Sequence, residues 1–190
     1  MAAVESEMLE LGTPAPTFSL PDADGTLHTL PDGADAYVVM FICNHCPFVK
    51  HVADELAAIG RDFAAKNVAI VAINSNDTDN YPADSAANML LEAAARGYTF
   101  PYLLDGDQSV AKAYRAACTP DYFVFDAGQE LVYRGQLDDS RPSNDKPVDG
   151  RDLRDAIQRT LDGKPGAEAQ VPSIGCNIKW KPGNAPDYFG

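Results

Sequence analysis

Residues 36–51, AYVVMFICNHCPFVKH, run without a break from an apolar stretch through two cysteines into an amphipathic segment. Ala36–Ile42 has the length of a strand and is apolar throughout, the pattern of a strand covered on both faces. From Pro47 to Lys66, Val49, Val52, Leu56, Ile59 and Phe63 recur at spacings of three and four, which is one face of a helix. Asn67–Asn74 (NVAIVAIN) is a second buried-strand run. Strand, cysteine pair, helix and strand make a parallel βαβ unit, whose sheet must be covered by helices. The cysteines fall at the turn where strand becomes helix.

Outward from this unit, residues 16–30 carry apolar runs flanking Asp24-Gly25, a strand–turn–strand signal. Residues 74–85 have loop composition, 85–97 predict a helix ending at Gly97, 98–105 a strand and 109–117 a short helix. Residues 121–135 predict a hairpin about Ala127-Gly128, and Asp149 is placed to cap a last helix over 150–161. The expected organisation is a single α/β domain over residues 1–163, including an N-terminal extension 1–15. A Pro- and Gly-rich tail, 164–190, is expected to be irregular and packed on that domain.

Composition narrows the function. A net charge of −13 argues against nucleic acid and anionic membrane surfaces as partners. No apolar run is long enough to span a bilayer. The start, MAAVESEMLELGTP, lacks the basic and apolar regions of a secretory signal, so the expected compartment is the cytoplasm. The chain's four cysteines are too few for a disulfide scaffold, and a reducing compartment favours catalysis or metal binding instead. No phosphate-cradling glycine motif is present, and no flavin, nucleotide or metal cofactor is implied.

Cys43 and Cys46 lie two residues apart at the strand–helix turn, a signal for thiol–disulfide chemistry. A structural zinc site needs a second pair of ligands, and Cys118 and Cys176 stand alone. Zinc and an inert buried pair are the alternatives. A thiolate is the nucleophile, and a helix N-terminus stabilises it through unpaired N–H groups and the dipole. On this reading Cys43 is the attacking nucleophile and Cys46 the resolving thiol. His45 is expected to stabilise the Cys43 thiolate and make the couple more oxidising, with a solvated loop histidine as the alternative. Pro47 suits the first helical turn.

With CTPDYFVFD (118–126) following the cysteine pair, the chain resembles the thioredoxin superfamily. The resemblance implies a thioredoxin-like fold, a central mixed sheet flanked by helices with an N-terminal β-hairpin. It also implies a cis-proline, Pro120, facing the cysteines, with Thr119 offering its backbone to a disulfide substrate. FSLPDADG, CNHCPFVKH, LVYRGQLDD and GCNIKWKPG narrow the likeness to the peroxiredoxin-like, AhpC/TSA-related branch of the redoxins. The peroxidatic pattern Pro-x-x-x-Thr/Ser-x-x-Cys is not kept: with Cys46 aligned, Cys43 and Val39 replace the Thr and the Pro. Where thioredoxin carries a buried acid, this chain has Tyr37, and Glu55, Lys50, His45 or water are the candidate bases for Cys46.

Cys118 and Cys176 are candidate additional redox thiols, or small buried residues. Trp180 is expected to pack against the body. Arg134, Asp138 and Asp139 could ring the site or form a solvated face; Lys50 and His51 could add positive potential near Cys43 or be solvated; His28 is expected at the surface. The function expected is a thiol–disulfide oxidoreductase. Its partners would be a disulfide-bearing protein or small molecule, and a reductant such as thioredoxin or a low-molecular thiol. A thiol peroxidase with Cys46 attacking peroxide is the first alternative, and a Sco-like copper chaperone the second.

Overall fold

β4 (Ala36–Phe41) is buried at every residue because both faces of its sheet are covered. The computed structural model describes residues 3–189, so residues 1, 2 and 190 of the expected extension and tail lie outside it. Before β4 come β1 (Ala3–Glu5) and the hairpin β2 (Leu20–Pro21) and β3 (Leu27–His28), turned at Gly25 with φ +85°. After β4, α1 (Pro47–Phe63) leads to β5 (Val68–Asn74), and α2 (Ala86–Arg96) ends on left-handed Gly97 as expected. β6 (Tyr102–Leu104), α3 (Ser109–Ala113), β7 (Cys118–Thr119), β8 (Asp121–Asp126), β9 (Leu131–Gly135), α4 (Arg151–Leu161) and β10 (Ile174–Asn177) complete the order.

The central sheet runs β6-β5-β4-β8-β9. β4, β5 and β6 are parallel, and β8 and β9 turn antiparallel, giving the mixed α/β sheet that the sequence predicts. Alternation along β4 divides the core. Val38, Met40 and Ile42 join Val49, Val52, Leu56 and Ile59 of α1, Met89 of α2, and Leu153 and Ile157 of α4. Tyr37, Val39 and Phe41 face the other way, onto Tyr114, Phe123, Phe125 and the N-terminal Phe18 and Leu20. At about 1.5–3 kcal/mol for each large apolar side chain fully buried, these two layers dominate the stabilisation. No helix among the described residues is long and apolar enough to cross a membrane.

The tail corrects an expectation. Instead of being irregular throughout, it supplies β10, the middle strand of a second sheet, β1-β10-β7. Its flanking prolines and glycines hide a strand of four residues, IGCN, too short for an alternation to register. The cap of α4 is a smaller difference. The helix begins at Arg151 with Gly150 before it, while Asp149 Oδ1 still accepts the Arg151 N–H at 3.2 Å.

Candidate active site

β4 delivers the chain to Ile42, residues 43–46 turn, and α1 starts at Pro47 with Cys46 as its N-cap. A proline has no N–H to leave unpaired and its φ is preset for a helix, so it fixes the start of α1 at position 47. The expected placement is therefore shifted: Cys46, not Cys43, holds the helix end, and Cys43 lies three residues ahead of it. Both thiols are buried, and all four cysteines are unpaired.

Both sulfurs converge on Thr119. Cys43 Sγ lies 3.3 Å from Thr119 Oγ1, and Cys46 Sγ lies 3.2 Å from the Thr119 carbonyl oxygen. Thr119-Pro120 is a cis peptide. Thr119 is paired along its backbone edge with β10, whose Cys176 is its directly opposed antiparallel partner. Gly175 makes that approach possible, since a Cβ there would stand 2.0 Å from the Thr119 oxygen.

Directly opposed residues of an antiparallel pair share a face. Because Thr119 turns its hydroxyl to Cys43, Cys176 shares the face of the cysteine pair, and it joins Cys43 and Cys46 in one buried cluster. Cys118, opposed to Asn177, takes the other face, and its Sγ lies 3.5 Å from the Pro120 carbonyl. Burial pushes the Cys118 thiol well up, with the charge of Asp121 acting in the same direction.

The electrostatics separate the two thiols of the pair. Hydrogen bonding from Cys43 holds Cys46 down at about 5, against the opposing effect of burial. The Cys176 thiol, the Val49 N–H and the Cys176 N–H add to that hold. In the fully protonated site Cys46 donates to Thr119; once its proton leaves, these donors outweigh the single carbonyl. Cys43 is pushed well up, first by its bond to Cys46, then by burial and by the Asp84 charge. Cys176 is pushed up to about 12 by burial and then by its bond to Cys46.

Asp84 is the residue that sequence reading missed. It is fully buried, and its Oδ1 accepts the backbone N–H groups of Asn44 at 2.8 Å and His45 at 3.3 Å. Its Oδ2 accepts Asn76 Nδ2 at 2.8 Å and meets His45 Nδ1 at 2.6 Å. Burial works to raise its pKa, but bonds from His45 and Asn76 prevail and hold it below the ordinary carboxylate range. The carboxylate thus clamps the turn between the cysteines. Asn76 Oδ1 also accepts the Lys179 N–H at 2.8 Å, which joins the clamp to the tail. In sequence, Asp84 is one acid in a loop of several.

Other expected residues fall as follows. His45 pairs with Asp84 and stacks on Tyr81, with ring centroids 5.5 Å apart. Glu55, a candidate base, is paired with Arg154 at 2.6 Å. Lys50 is exposed, and His51 is half-buried on the first turns of α1. Tyr37 lies in the opposite core layer. Arg134 donates to the Leu9 carbonyl and to Gln170, and Asp138 accepts the N–H groups of Asp149 and Gly150 ahead of α4. Asp139 pairs with Lys146, His28 with Asp22, and Trp180 packs on the second core.

Cys43, His45 and Asp84 place one ligand atom each within 4.8 Å of one another, the donor set a cation would use. The Asp84 oxygens already take four hydrogen bonds, so metal binding would have to displace the clamp.

Sheet order, the cis-proline and paired cysteines at a helix start define a thioredoxin-like fold. Residues 11–134 match the AhpC/TSA family model, and the chain belongs to that family. It is similar to an uncharacterised conserved protein of Geobacillus kaustophilus, 55% identical with a TM-score of 0.93 over 96% of this chain and 98% of that one. A hypothetical protein of Sinorhizobium meliloti is 51% identical, with a TM-score of 0.93 over 94% of this chain and 99% of that one. A candidate thiol:disulfide interchange protein, DsbE, from Chlorobium tepidum shares the fold at 19% identity, with a TM-score of 0.63 over 80% and 99%. No curated protein matches the chain.

Proposed function

We propose that this protein is a thiol–disulfide oxidoreductase that cycles Cys43 and Cys46 between dithiol and disulfide, with the reduced-state thiolate on Cys46. The observation that carries this reading is the convergence of both sulfurs on Thr119 at the head of α1. The sequence alone assigns the nucleophile's role to Cys43. The donors around Cys46 and the carboxylate beside Cys43 support the reverse. A disulfide substrate is attacked by Cys46 and the mixed disulfide is released by Cys43; a dithiol reductant, or a low-molecular thiol, returns the pair. This chemistry suits a reducing compartment such as the cytoplasm.

A stabilised thiolate stabilises the reduced form and so makes the couple more oxidising. Thiolate pKa values are about 7 in thioredoxin and about 3.5 in DsbA, and 5 lies between them. The potential is therefore expected in the window above thioredoxin's value of about −270 mV. Equilibration in glutathione redox buffers with mass-spectrometric disulfide mapping tests the reading. A Cys43–Cys46 disulfide forming in that window supports it; no such disulfide at any ratio of thiol to disulfide sinks it.

The low-pKa thiol at the helix N-terminus and the family membership favour a second reading, a thiol peroxidase with Cys46 attacking peroxide. One equivalent of hydrogen peroxide added to reduced protein separates the two. Oxidation orders of magnitude faster than a free thiol, through a sulfenic acid on Cys46, selects the peroxidase.

A further inference from the structure

β10 lies along β7 with a cysteine opposite Thr119, the residue on which both active-site sulfurs converge. We propose that Cys176 is a third redox thiol of this site, carried to Cys46 by a strand of the chain's own tail, so that the disulfide moves between Cys43–Cys46 and Cys46–Cys176. The inference rests on the dithiol reading above and extends it.

Three features carry it. Opposed antiparallel residues have Cα atoms about 4.5–5.5 Å apart, so the register brings the Cys176 backbone against Thr119. Thr119 in turn touches Cys46 Sγ, and Cys176 shares one buried cluster with Cys43 and Cys46 that Cys118 does not enter. The strand is also built for close approach: Gly175 leaves the space that a side chain would fill, and Ile178 N–H donates to the Ala117 carbonyl at 3.1 Å just beyond. Cys118, on the opposite face of β7, lacks this contact. The Cys176 thiol is raised by burial and then by its bond to Cys46. Oxidation of Cys46 removes that second cause, so the resolving thiol becomes easier to ionise when it is needed.

The exchange balances. The Cys176 thiolate attacks Cys46 Sγ of the Cys43–Cys46 disulfide, an S–S bond forms as one breaks, and Cys43 leaves as a thiolate that takes up the proton from Cys176. There is no net oxidation. When an external disulfide such as oxidised glutathione is the oxidant, Cys46 forms the mixed disulfide and one glutathione thiolate leaves. Cys176 then displaces the second, so that two protein thiols are oxidised and one disulfide becomes two thiols.

The test uses full-length protein with Cys43→Ser, reduced, treated with oxidised glutathione, alkylated and digested for mass spectrometry. The expected result is a Cys46–Cys176 peptide in most molecules, with Cys118 alkylated. Glutathione retained on Cys46 with Cys176 free to alkylate overturns the proposal. Circular dichroism checks the fold. Should this variant not fold, the oxidised wild-type digest decides instead: a Cys46–Cys176 peptide beside Cys43–Cys46 supports the exchange, and Cys43–Cys46 alone overturns it. Failure of the underlying reading looks different, because the wild-type protein then forms no Cys43–Cys46 disulfide either.

Discussion

Gly175→Ala should lift β10 from the site. An ideal Cβ at this position stands 2.0 Å from the Thr119 oxygen, 2.6 Å from its carbonyl carbon and 3.1 Å from Pro120 N. These are backbone atoms, which cannot swing aside like a side chain, so strand and β7 must separate by more than ~1 Å. That breaks the β10–β7 bonds and loosens Ile178, fully buried in the second core, with Trp180 packed beside it. Exposing one isoleucine costs about 1.5–3 kcal/mol, and each backbone bond lost adds about 1 kcal/mol. The expected loss is about 3–5 kcal/mol, and it is smaller if the tail detaches while the central sheet stays folded. Two assays check it. Urea unfolding followed by the fluorescence of Trp180, the only tryptophan, reports the tail. The rate at which an aromatic disulfide titrates thiols of the native reduced protein reports the cover over Cys43, Cys46 and Cys176. A loss under about 1 kcal/mol with thiols as slow as in the wild type would refute the reasoning.

Thiolate absorbance at 240 nm should titrate with a midpoint near 5 in reduced protein and lose that step in Cys46→Ser; a first midpoint near 9 contradicts the assignment. The linked stability has a definite sign. Cys46 has a folded pKa of about 5 against 9.0 unperturbed, so its contribution is full above pH 9 and is lost as pH falls towards 5. Cys43 and Cys176, both raised, contribute below pH 9 and lose that contribution only at higher pH. Urea midpoints of reduced protein should therefore climb from pH 5.5 to 8.5 relative to the disulfide form, and parallel profiles would count against it. Asp84→Asn turns an amide N–H₂ towards donors and leaves at least one buried donor unpaired, for a loss of roughly 2–4 kcal/mol in thermal or urea unfolding. It also removes a charge within 4.8 Å of Cys43, worth ~3.5 kcal/mol at an effective dielectric of ~20, so the Cys43 midpoint should fall. An unchanged Cys43 titration would show that the carboxylate does not act on it. Exchange with a small disulfide should be nearly independent of pH from 6.5 to 8.5, since Cys46 is already ionised; a tenfold rise per pH unit would mean an ordinary thiol.

What was legible in the chain followed local periodicity. β4, β5 and α1 stand out because Val38–Met40, Val68–Ile73 and the Val49–Phe63 stripe satisfy a strand or helix period within their own length. The stop at Gly97 and the turn at Gly25 follow from positive φ. Thr119 and Pro120 were legible through the family likeness. The placement of Cys46 at the helix cap is implied by Pro47, which prefers the first helical position. Asp84, Gly175 and the pairing of Cys176 with Thr119 were not. Each draws its meaning from a contact between segments distant in sequence. A lone glycine or acid in a loop carries no period that would reveal such a contact.

These distant contacts point to access, more than acidity, as the property that governs the site. A thiolate held at about 5 is almost fully ionised at neutral pH, so further stabilisation adds little to its population while lowering its nucleophilicity. Yet Cys43 and Cys46 have almost no exposed surface, and β10 occupies the backbone edge of Thr119. An external disulfide must therefore approach while that edge is open, whereas Cys176 is already beside Cys46 whenever the strand is seated. Linking two reacting groups in one chain raises their effective concentration to the millimolar range or above. Under the proposed exchange, the tail and an outside partner compete for one sulfur. On that reading, the stability of a single short strand, set by Gly175, Ile178 and the Lys179 bond to Asn76, decides how often the partner is admitted.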